Sequence, residues 1–147
     1  HENALVTAGR RDPKTPLEGK FSVPFCISLG LRGYGVVATD FKDATMKDPL
    51  VADVVPKVEL MPVPDQPNHE AHLDVWLEDG EHLHADTMVL RGHPKNPLTW
   101  DDLRVKFEGL VEPVLGKDRT AALYAAGREF GAPGTMGTLS ALLAGNL

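Results

Sequence analysis

The residues best suited to chemistry in this sequence are basic side chains in two separate segments. One segment contains Arg91 and His93 in a stretch rich in glycine and proline. A histidine ring gains and loses a proton near neutral pH, and a guanidinium group binds a carboxylate through two parallel hydrogen bonds. Arg91 and His93 therefore predict contact with a carboxylate substrate. The alternative is that both side chains only hold the loop closed.

The other segment is the polar start of the stretch from Pro16 to Leu31, which then becomes almost wholly apolar. Lys20 and Ser22 lie at this polar end. There an ammonium group can bind an anion together with the free amide groups of a helix start. A solvated lysine beside a capping serine is the alternative. The single cysteine, Cys26, lies in the apolar part and is expected to be a buried side chain and not a nucleophile.

Four histidines, His69, His72, His82 and His84, lie close together in the sequence. His82 and His84 are one strand step apart, a spacing that some metal sites use. Nearby aspartates offer partners across an exposed face, which explains these rings without a metal. The chain also lacks a zinc-protease motif, a phosphate-binding glycine loop and a dinucleotide fingerprint. We therefore expect neither a metal nor an organic cofactor.

The stretch that carries Lys20 and Ser22 is predicted to be a helix. Ser22 can cap its start, Pro24 is tolerated in its first turn, and glycines after Leu31 end it. A buried strand is the alternative, because a short apolar run fits both structures. Residues 1–15 are polar and are expected to form an extended arm or linker.

Shorter elements are predicted between this helix and the histidines. A brief helix is expected to begin at Thr39 or Asp40. A better-marked helix has Asp48 as its cap and ends at Pro56. Val58 to Met61 is predicted to be a strand, and the prolines that follow it indicate a loop.

The residues from Leu73 to Val89 predict a β-hairpin, and the charges on its strands select the register. A two-residue turn would place apolar side chains opposite histidines. A three-residue turn, Glu78-Asp79-Gly80 with the glycine in the left-handed region, separates an apolar face from a polar face. The predicted pairs on the polar face are Trp76 with His82, Asp74 with His84, and His72 with Asp86.

Three helices are predicted in the remainder of the chain. Each begins at a polar residue whose side chain can accept a hydrogen bond from a free amide, and a proline is expected to end or kink the first. Thr99 is expected to cap the first helix, with Asp102 at the third position, and Pro113 to end or kink it. Asp118 is expected to cap the second helix, which extends to about Phe130. Thr135 is expected to cap the third.

The order of helices, strands and helices predicts a single α+β domain, 1–147, in which a small antiparallel sheet has helices packed on one face. The net charge of −6, with both signs interspersed, argues against a nucleic-acid surface. No apolar run reaches the about 20 residues of a membrane helix. We expect a cytoplasmic protein that binds neither nucleic acid nor membrane. The start at His1 leaves open a fragment, a processed product or a stand-alone protein.

Two separated motifs resemble the MmgE/PrpD family, whose members include 2-methylcitrate dehydratase, cis-aconitate decarboxylase and iminodisuccinate epimerase. The motifs are LEGKFSVPFCISLGL and RGHPKNPLTWDDL, the latter followed by Lys106-Phe107, with the Asp48-Pro49 helix start between them. The likeness covers nearly the whole chain. The family combines a large all-helical domain with a smaller α+β lid domain that closes over the cleft. This chain resembles the lid domain alone, so the helical domain is absent from it.

The resemblance implies chemistry on small polycarboxylates without a metal or organic cofactor. Members eliminate water or carbon dioxide, or epimerise, by removing a proton next to a carboxylate. Most of their catalytic acids and bases belong to the helical domain. The family motif places the Lys20-Phe21-Ser22 segment at the domain junction near the cleft. The substrate-binding residues that the resemblance implies are Lys20, Ser22, Phe25, Arg91 and His93. Many members carry a tyrosine at the position of Phe25, so a hydroxyl group at the substrate is lost here.

Two functions follow as hypotheses, and whether the chain alone is an enzyme stays open. The first is the lid domain of a carbon–oxygen lyase or isomerase that resembles 2-methylcitrate dehydratase and needs the helical domain for activity. The second is a non-catalytic binding module that retains the lid fold. In both, we expect an exposed apolar surface around Phe21 and Phe25 that contacts a helical domain or a second copy of the chain.

Overall fold

The computed structural model describes residues 2–67 and 69–145. Within them it contains eight α-helices, two short 3₁₀ turns and one two-stranded antiparallel sheet. The predicted α+β class with a small antiparallel sheet is confirmed. The chain divides into two compact units, His1–Asn96 and Pro97–Leu147. Among the helices of the described residues, none has both the length and the apolar character needed to cross a membrane.

The first unit contains the sheet and the shorter helices. In chain order they are α1 (Glu2–Ala8), α2 (Pro16–Gly19), α3 (Val23–Leu31), a 3₁₀ turn (Ala38–Asp40), α4 (Asp43–Met46), α5 (Pro49–Val54), a second 3₁₀ turn (Val55–Lys57), β1 (Ala71–Trp76) and β2 (His82–Thr87).

Helix α3 forms where the sequence predicts a helix, and not the alternative buried strand. The Ser22 hydroxyl oxygen accepts a hydrogen bond from the Phe25 amide at 3.2 Å, which caps the helix start. Pro24 lies in the first turn, where its missing amide costs nothing. The helix ends at Leu31, and Gly33 follows with a φ of 82°, a left-handed conformation that favours glycine.

The core of the first unit is small and is centred on α3. Phe25, Leu29 and Val51 are its buried apolar side chains. Burying one such side chain stabilises a fold by about 1.5–3 kcal/mol, so this cluster fixes α3 against α5. The partly buried side chains packed around the cluster are Tyr34, Phe41, Met46 and Val55.

Three secondary-structure predictions in the first unit are wrong. The brief helix expected to begin at Thr39 or Asp40 begins at Asp43 as α4, because these two residues belong to a 3₁₀ turn in which the Asp40 carboxylate accepts from the Val37 amide at 3.0 Å. Residues 2–8, expected within an extended arm, form α1, because alanine and leucine favour helix and Glu2 lies in the first turn at the positive end of the helix dipole. Val58 to Met61 is not a strand. A strand needs a neighbour for its backbone groups, and the Val58 carbonyl oxygen instead accepts from the Arg11 guanidinium at 3.2 Å.

The hairpin has the predicted register. Trp76 pairs with His82, Asp74 with His84, and His72 with Asp86. The turn has three residues, because the Leu77 amide donates to the Glu81 carbonyl oxygen at 2.8 Å, and Gly80 has a φ of 90°.

The second unit is a set of three helices, α6 (Trp100–Leu115), α7 (Lys117–Arg128) and α8 (Thr135–Ala144). Thr99 and Asp102 form the predicted capping box of α6. The Tyr124 hydroxyl on α7 donates to the Trp100 carbonyl oxygen at 2.6 Å, and the Arg119 Nε donates to the Leu142 carbonyl oxygen at 2.5 Å. These bonds connect α7 to both of its neighbours.

Helix α6 contains Pro113 and continues to Leu115, so of the two expected effects of this proline, an end or a kink, the end is wrong. Two helix starts in this unit also differ from prediction. Gly116, with a φ of 77°, precedes α7 in place of Asp118, which lies in the first turn. Gly134 precedes α8, so Thr135 is its first residue. In both cases a glycine with positive φ turns the chain just before the predicted cap.

We expect Ser22→Ala to lower the free energy of unfolding by about 1–2 kcal/mol, because it removes a helix cap and a buried hydroxyl group. Urea denaturation followed by circular dichroism measures the change. Ser140→Ala on the exposed side of α8 is the matched control and should alter stability by less than about 0.5 kcal/mol. Equal, small effects of the two substitutions would contradict this role for Ser22.

Candidate functional site

Lys20 closes the end of α2 and keeps its side chain exposed. Its amide donates to the Leu17 carbonyl oxygen at 3.2 Å. Its Nζ lies 5.9 Å from the centroid of the Phe41 ring, where the negative face of the ring attracts a cation. The ammonium group is therefore held near one place and remains accessible to an anion from solvent.

Ser22 is fully buried and uses its hydroxyl group within the protein. The hydroxyl donates to the Arg10 carbonyl oxygen at 2.5 Å and accepts from the Phe25 amide. It thus connects the chain before α2 to the start of α3. Ser22 fixes the backbone that carries Lys20, and both hydrogen-bonding roles of its hydroxyl are already taken.

Phe25 lies in the core and not at a surface. It is 3% exposed, and its ring centroid is 6.2 Å from that of Phe41. The expected apolar surface around Phe21 and Phe25 therefore contains Phe21, which is 52% exposed, but not Phe25. The reason is the helical period, since Phe25 shares the inward side of α3 with Leu29 whereas Phe21 precedes the helix.

A shallow groove with exposed apolar side chains lies beside Phe21. Val6 and Leu17 are 88% and 66% exposed, and the Arg10 guanidinium and the Glu18 carboxylate form an ion pair at 3.0 Å along the groove. An apolar patch with a polar rim is typical of a protein interface. The lining residues are Val6, Thr7, Gly9, Arg10, Leu17, Glu18 and Phe21.

Cys26 behaves as the sequence indicates. Its thiol is partly buried and lies 3.7 Å from the Gly19 carbonyl oxygen. Burial raises the pKa of this thiol above its ordinary value, which keeps it protonated and weakly nucleophilic near neutral pH.

Hydrogen bonds around Asn96 close the loop that carries Arg91. The Arg91 Nη1 donates to the Asn96 Oδ1 at 3.3 Å, and the Asn96 Nδ2 donates to the Val89 carbonyl oxygen at 3.1 Å. Gly92 has a φ of 94°, and its amide donates to the Asn96 carbonyl oxygen at 2.8 Å. Arg91 thus helps to hold the loop closed while its side chain stays exposed.

His93 is oriented from both sides of its ring. Its Nδ1 accepts a hydrogen bond from the Lys95 amide at 3.1 Å. Its ring stacks on that of His69, with centroids 6.1 Å apart and an angle of 19° between planes. Because Nδ1 is an acceptor, a neutral His93 ring carries its proton on Nε2. His69 was not predicted at this loop, since nothing in the local sequence marks contacts between distant residues.

Tyr34 is a further residue that sequence reasoning missed. Its hydroxyl donates to the Asp48 Oδ2 at 2.9 Å, and this bond raises the pKa of Tyr34. Asp48 also accepts from the Leu50 amide, and that bond, followed by the Tyr34 bond, lowers the pKa of the carboxyl group. The pair connects the segment after α3 to the start of α5.

The polar face of the hairpin is a network of three imidazole rings and two carboxylates. His84 contacts Asp74 through Nδ1 at 2.7 Å and Asp86 through Nε2 at 2.9 Å. His72 Nδ1 lies 2.5 Å from the same Asp86 oxygen, and His82 Nε2 lies 2.9 Å from Asp74. The predicted pairing of histidines with aspartates is therefore present.

The predicted substrate-contact residues form two groups. Lys20, Ser22 and Phe25 lie in one segment, and Arg91 and His93 lie in one loop. The contacts of Lys20 are with Leu17 and Phe41, and those of His93 are within its loop and with His69. None of these contacts joins the two groups.

A comparison with protein families identifies the family of this chain. A family model described as the MmgE/PrpD C-terminal domain matches residues 1–128. This range contains both motifs, and it ends with the last residue of α7. A search of curated proteins found no match.

We expect the stability of the hairpin to fall as the pH rises through the titration of His84. Hydrogen bonds to Asp74 and then to Asp86 raise the pKa of His84 above its ordinary 6.5, so folding strengthens proton binding. The contribution is fully present below the ordinary pKa and is lost above the raised one. Hydrogen bonds from histidines lower the pKa of Asp74 and Asp86, which adds a loss of stability at acid pH.

The check is the urea midpoint of Trp76 fluorescence in a Trp100→Phe background, measured from about pH 6, below the ordinary histidine pKa, to about pH 8.5. The midpoint should fall over this interval in the parent and change less in His84→Gln. His93→Gln is the control and should retain the parent's fall. An undiminished fall in His84→Gln would contradict the assignment.

Proposed function

Because the chain belongs to the MmgE/PrpD family, whose C-terminal domain model matches residues 1–128, we propose that it is the lid domain of a lyase or isomerase acting on small polycarboxylates. The family match carries this proposal. The resemblance implies that activity needs a helical domain, which holds most of the catalytic acids and bases. The proposed reaction resembles that of 2-methylcitrate dehydratase.

In this proposal Lys20 binds a carboxylate group of the substrate. Its ammonium group is exposed, lies near the Phe41 ring and follows a helix whose backbone is fixed by Ser22. A lysine offers a point charge on a flexible stem, which suits an anion that arrives when a lid closes. Ser22 and Phe25 do not touch the substrate in this proposal, because the Ser22 hydroxyl is already hydrogen-bonded and the Phe25 side chain is buried. Both residues act by holding the Lys20 segment in place.

Arg91 and His93 supply a second contact with the substrate and a hydrogen bond to its departing group. Elimination of water breaks a C–H and a C–O bond, so it needs a base at the carbon and an acid at the departing hydroxyl group. The Lys95 amide occupies Nδ1 of His93, so the neutral ring presents a proton on Nε2. His93 can therefore donate a hydrogen bond from Nε2 to the departing hydroxyl group, and its occupied Nδ1 does not serve as the base. The base and the proton donor are left to the helical domain.

The groove beside Phe21 is the proposed contact surface for the helical domain. It lies next to Lys20 in the sequence, it carries Val6, Leu17 and Phe21 with large exposed fractions, and it has an ion pair along one side. Burial of these side chains would bring the Lys20 segment to the domain junction. The alternative occupant of this groove is a second copy of the chain, and a test must distinguish it from the helical domain.

A non-catalytic binding module that retains the lid fold is the second candidate. The side chains of Lys20 and Arg91 are exposed, so this chain has charged groups that can bind a carboxylate, whereas the resemblance assigns most catalytic acids and bases to a helical domain. Phe25 does not separate the candidates, because its buried position would not present a hydroxyl group to a substrate. The binding module would differ from the first candidate in turnover and not in binding.

The test is a fusion of a helical domain of the family to this chain, assayed with 2-methylcitrate and cis-aconitate. The lid hypothesis predicts turnover that Lys20→Met reduces by about a hundredfold, since a charged contact to the substrate is lost. Lys42→Met, at another exposed lysine in the same unit, is the matched control and should leave the turnover unchanged.

The possible outcomes separate the candidates. Binding of citrate that depends on Lys20, with no turnover of either substrate, would favour the binding module. Neither binding nor turnover in a folded fusion would contradict both. Equal effects of the two lysine substitutions on turnover would show that Lys20 does not bind the substrate.

A further inference from the structure

The polar face of the hairpin brings together the donor atoms of His72, His84 and Asp86. One ligand atom from each residue lies within 4.8 Å of the other two. The arrangement follows from the register, which pairs His72 with Asp86 across the strands and places His84 two residues along on the same face. All three side chains are exposed, so an ion from solvent can reach them.

His84 contacts a carboxylate through each of its ring nitrogens. Nδ1 lies 2.7 Å from an Asp74 oxygen and Nε2 lies 2.9 Å from an Asp86 oxygen. His72 Nδ1 lies 2.5 Å from that same Asp86 oxygen. Two imidazole nitrogens and one carboxylate oxygen therefore converge on one position at the surface of the hairpin.

We propose that a zinc ion, or another divalent transition metal ion of similar ligand preference, binds to His72 Nδ1, His84 Nε2 and the Asp86 carboxylate. Two imidazole nitrogens and a carboxylate oxygen form a ligand set that zinc accepts, with water in the remaining position. Imidazole ligands select for transition metals over magnesium and calcium. A metal ion at this position would replace the expectation, drawn from the sequence, that histidine–aspartate pairs explain these histidines without a metal.

Asp74 provides the outer contact that metal-bound histidines usually have. A ligating imidazole commonly donates its other N–H to a carboxylate, which fixes the tautomer and the ring orientation. The Asp74 oxygen lies 2.7 Å from Nδ1 of His84, so that nitrogen keeps the proton and Nε2 faces the metal position. The charges also balance, since Asp74, Asp86 and a divalent ion sum to zero with neutral rings.

The required movement is small. Zinc ligands lie at about 2.0–2.2 Å from the ion, which places tetrahedral ligand atoms about 3.3 Å apart. The present contacts at Asp86 are 2.5 Å from His72 and 2.9 Å from His84, so these two pairs must open by less than about 1 Å, and all three ligand atoms already lie within 4.8 Å of one another. Exposed side chains can do this by small rotations, and the backbone pairing stays intact.

The experiment is calorimetric titration of zinc chloride into the untagged 147-residue chain near neutral pH. We expect one zinc ion per chain and an affinity that falls by about tenfold or more in His72→Gln and in His84→Gln, because each removes a ligand. His82→Gln is the matched control. It lies on the same strand and face but contacts Asp74 and not Asp86, so it should leave the affinity nearly unchanged.

Absence of saturable zinc binding at millimolar concentration, or binding that neither ligand substitution weakens, would overturn the proposal. If a variant fails to fold, the ligands are identified by NMR in the parent chain. Nitrogen-15 shifts of the imidazole rings should then move at Nδ1 of His72 and Nε2 of His84 on adding zinc. Shifts confined to His69 and His93 would overturn the assignment. This result is independent of the proposed function, because no step of that proposal uses the ion.

Discussion

The arrangement of the first unit depends on the buried hydroxyl group of Ser22. It donates to the Arg10 carbonyl oxygen and accepts from the Phe25 amide, so one side chain satisfies two backbone groups that are far apart in the sequence. Buried backbone groups without partners are costly. The hydroxyl group therefore fixes where α3 begins and, with it, the direction of the short segment that ends α2. Lys20 and Phe21 are exposed because that segment is fixed at the protein surface.

This constraint separates the side chains that stabilise the unit from those available for contact. Phe25 and Leu29 face the core against Val51, whereas Lys20 and Phe21 precede the helix and face solvent. A lid domain has both requirements, since its core must survive opening and closing while its edge must meet a partner. The exposed groove beside Phe21 is consistent with an edge of this kind, and the hairpin contributes a separate polar face.

Much of the local structure could be predicted from the sequence because polar side chains there have few choices. Ser22 and Thr99 had to cap helices, and only a three-residue turn kept Leu73 and Val75 off the histidine face. Helix α1 was missed because its signal is weak propensity without a cap. Phe25 was placed at a surface because sequence pattern alone does not show which side of α3 meets the core. The His69 contact with His93 depends on tertiary structure, which local patterns do not encode.

We propose that the groove beside Phe21, with the adjoining Lys20 segment, is the surface of the first unit that meets a helical domain of the family. Amide hydrogen exchange of this chain, measured with and without such a domain, tests it most directly. The account predicts slower exchange for amides from Leu17 to Phe21 and unchanged exchange in β1 and β2. Protection of the strands alone, or complex formation without any protection of the Lys20 segment, would contradict it.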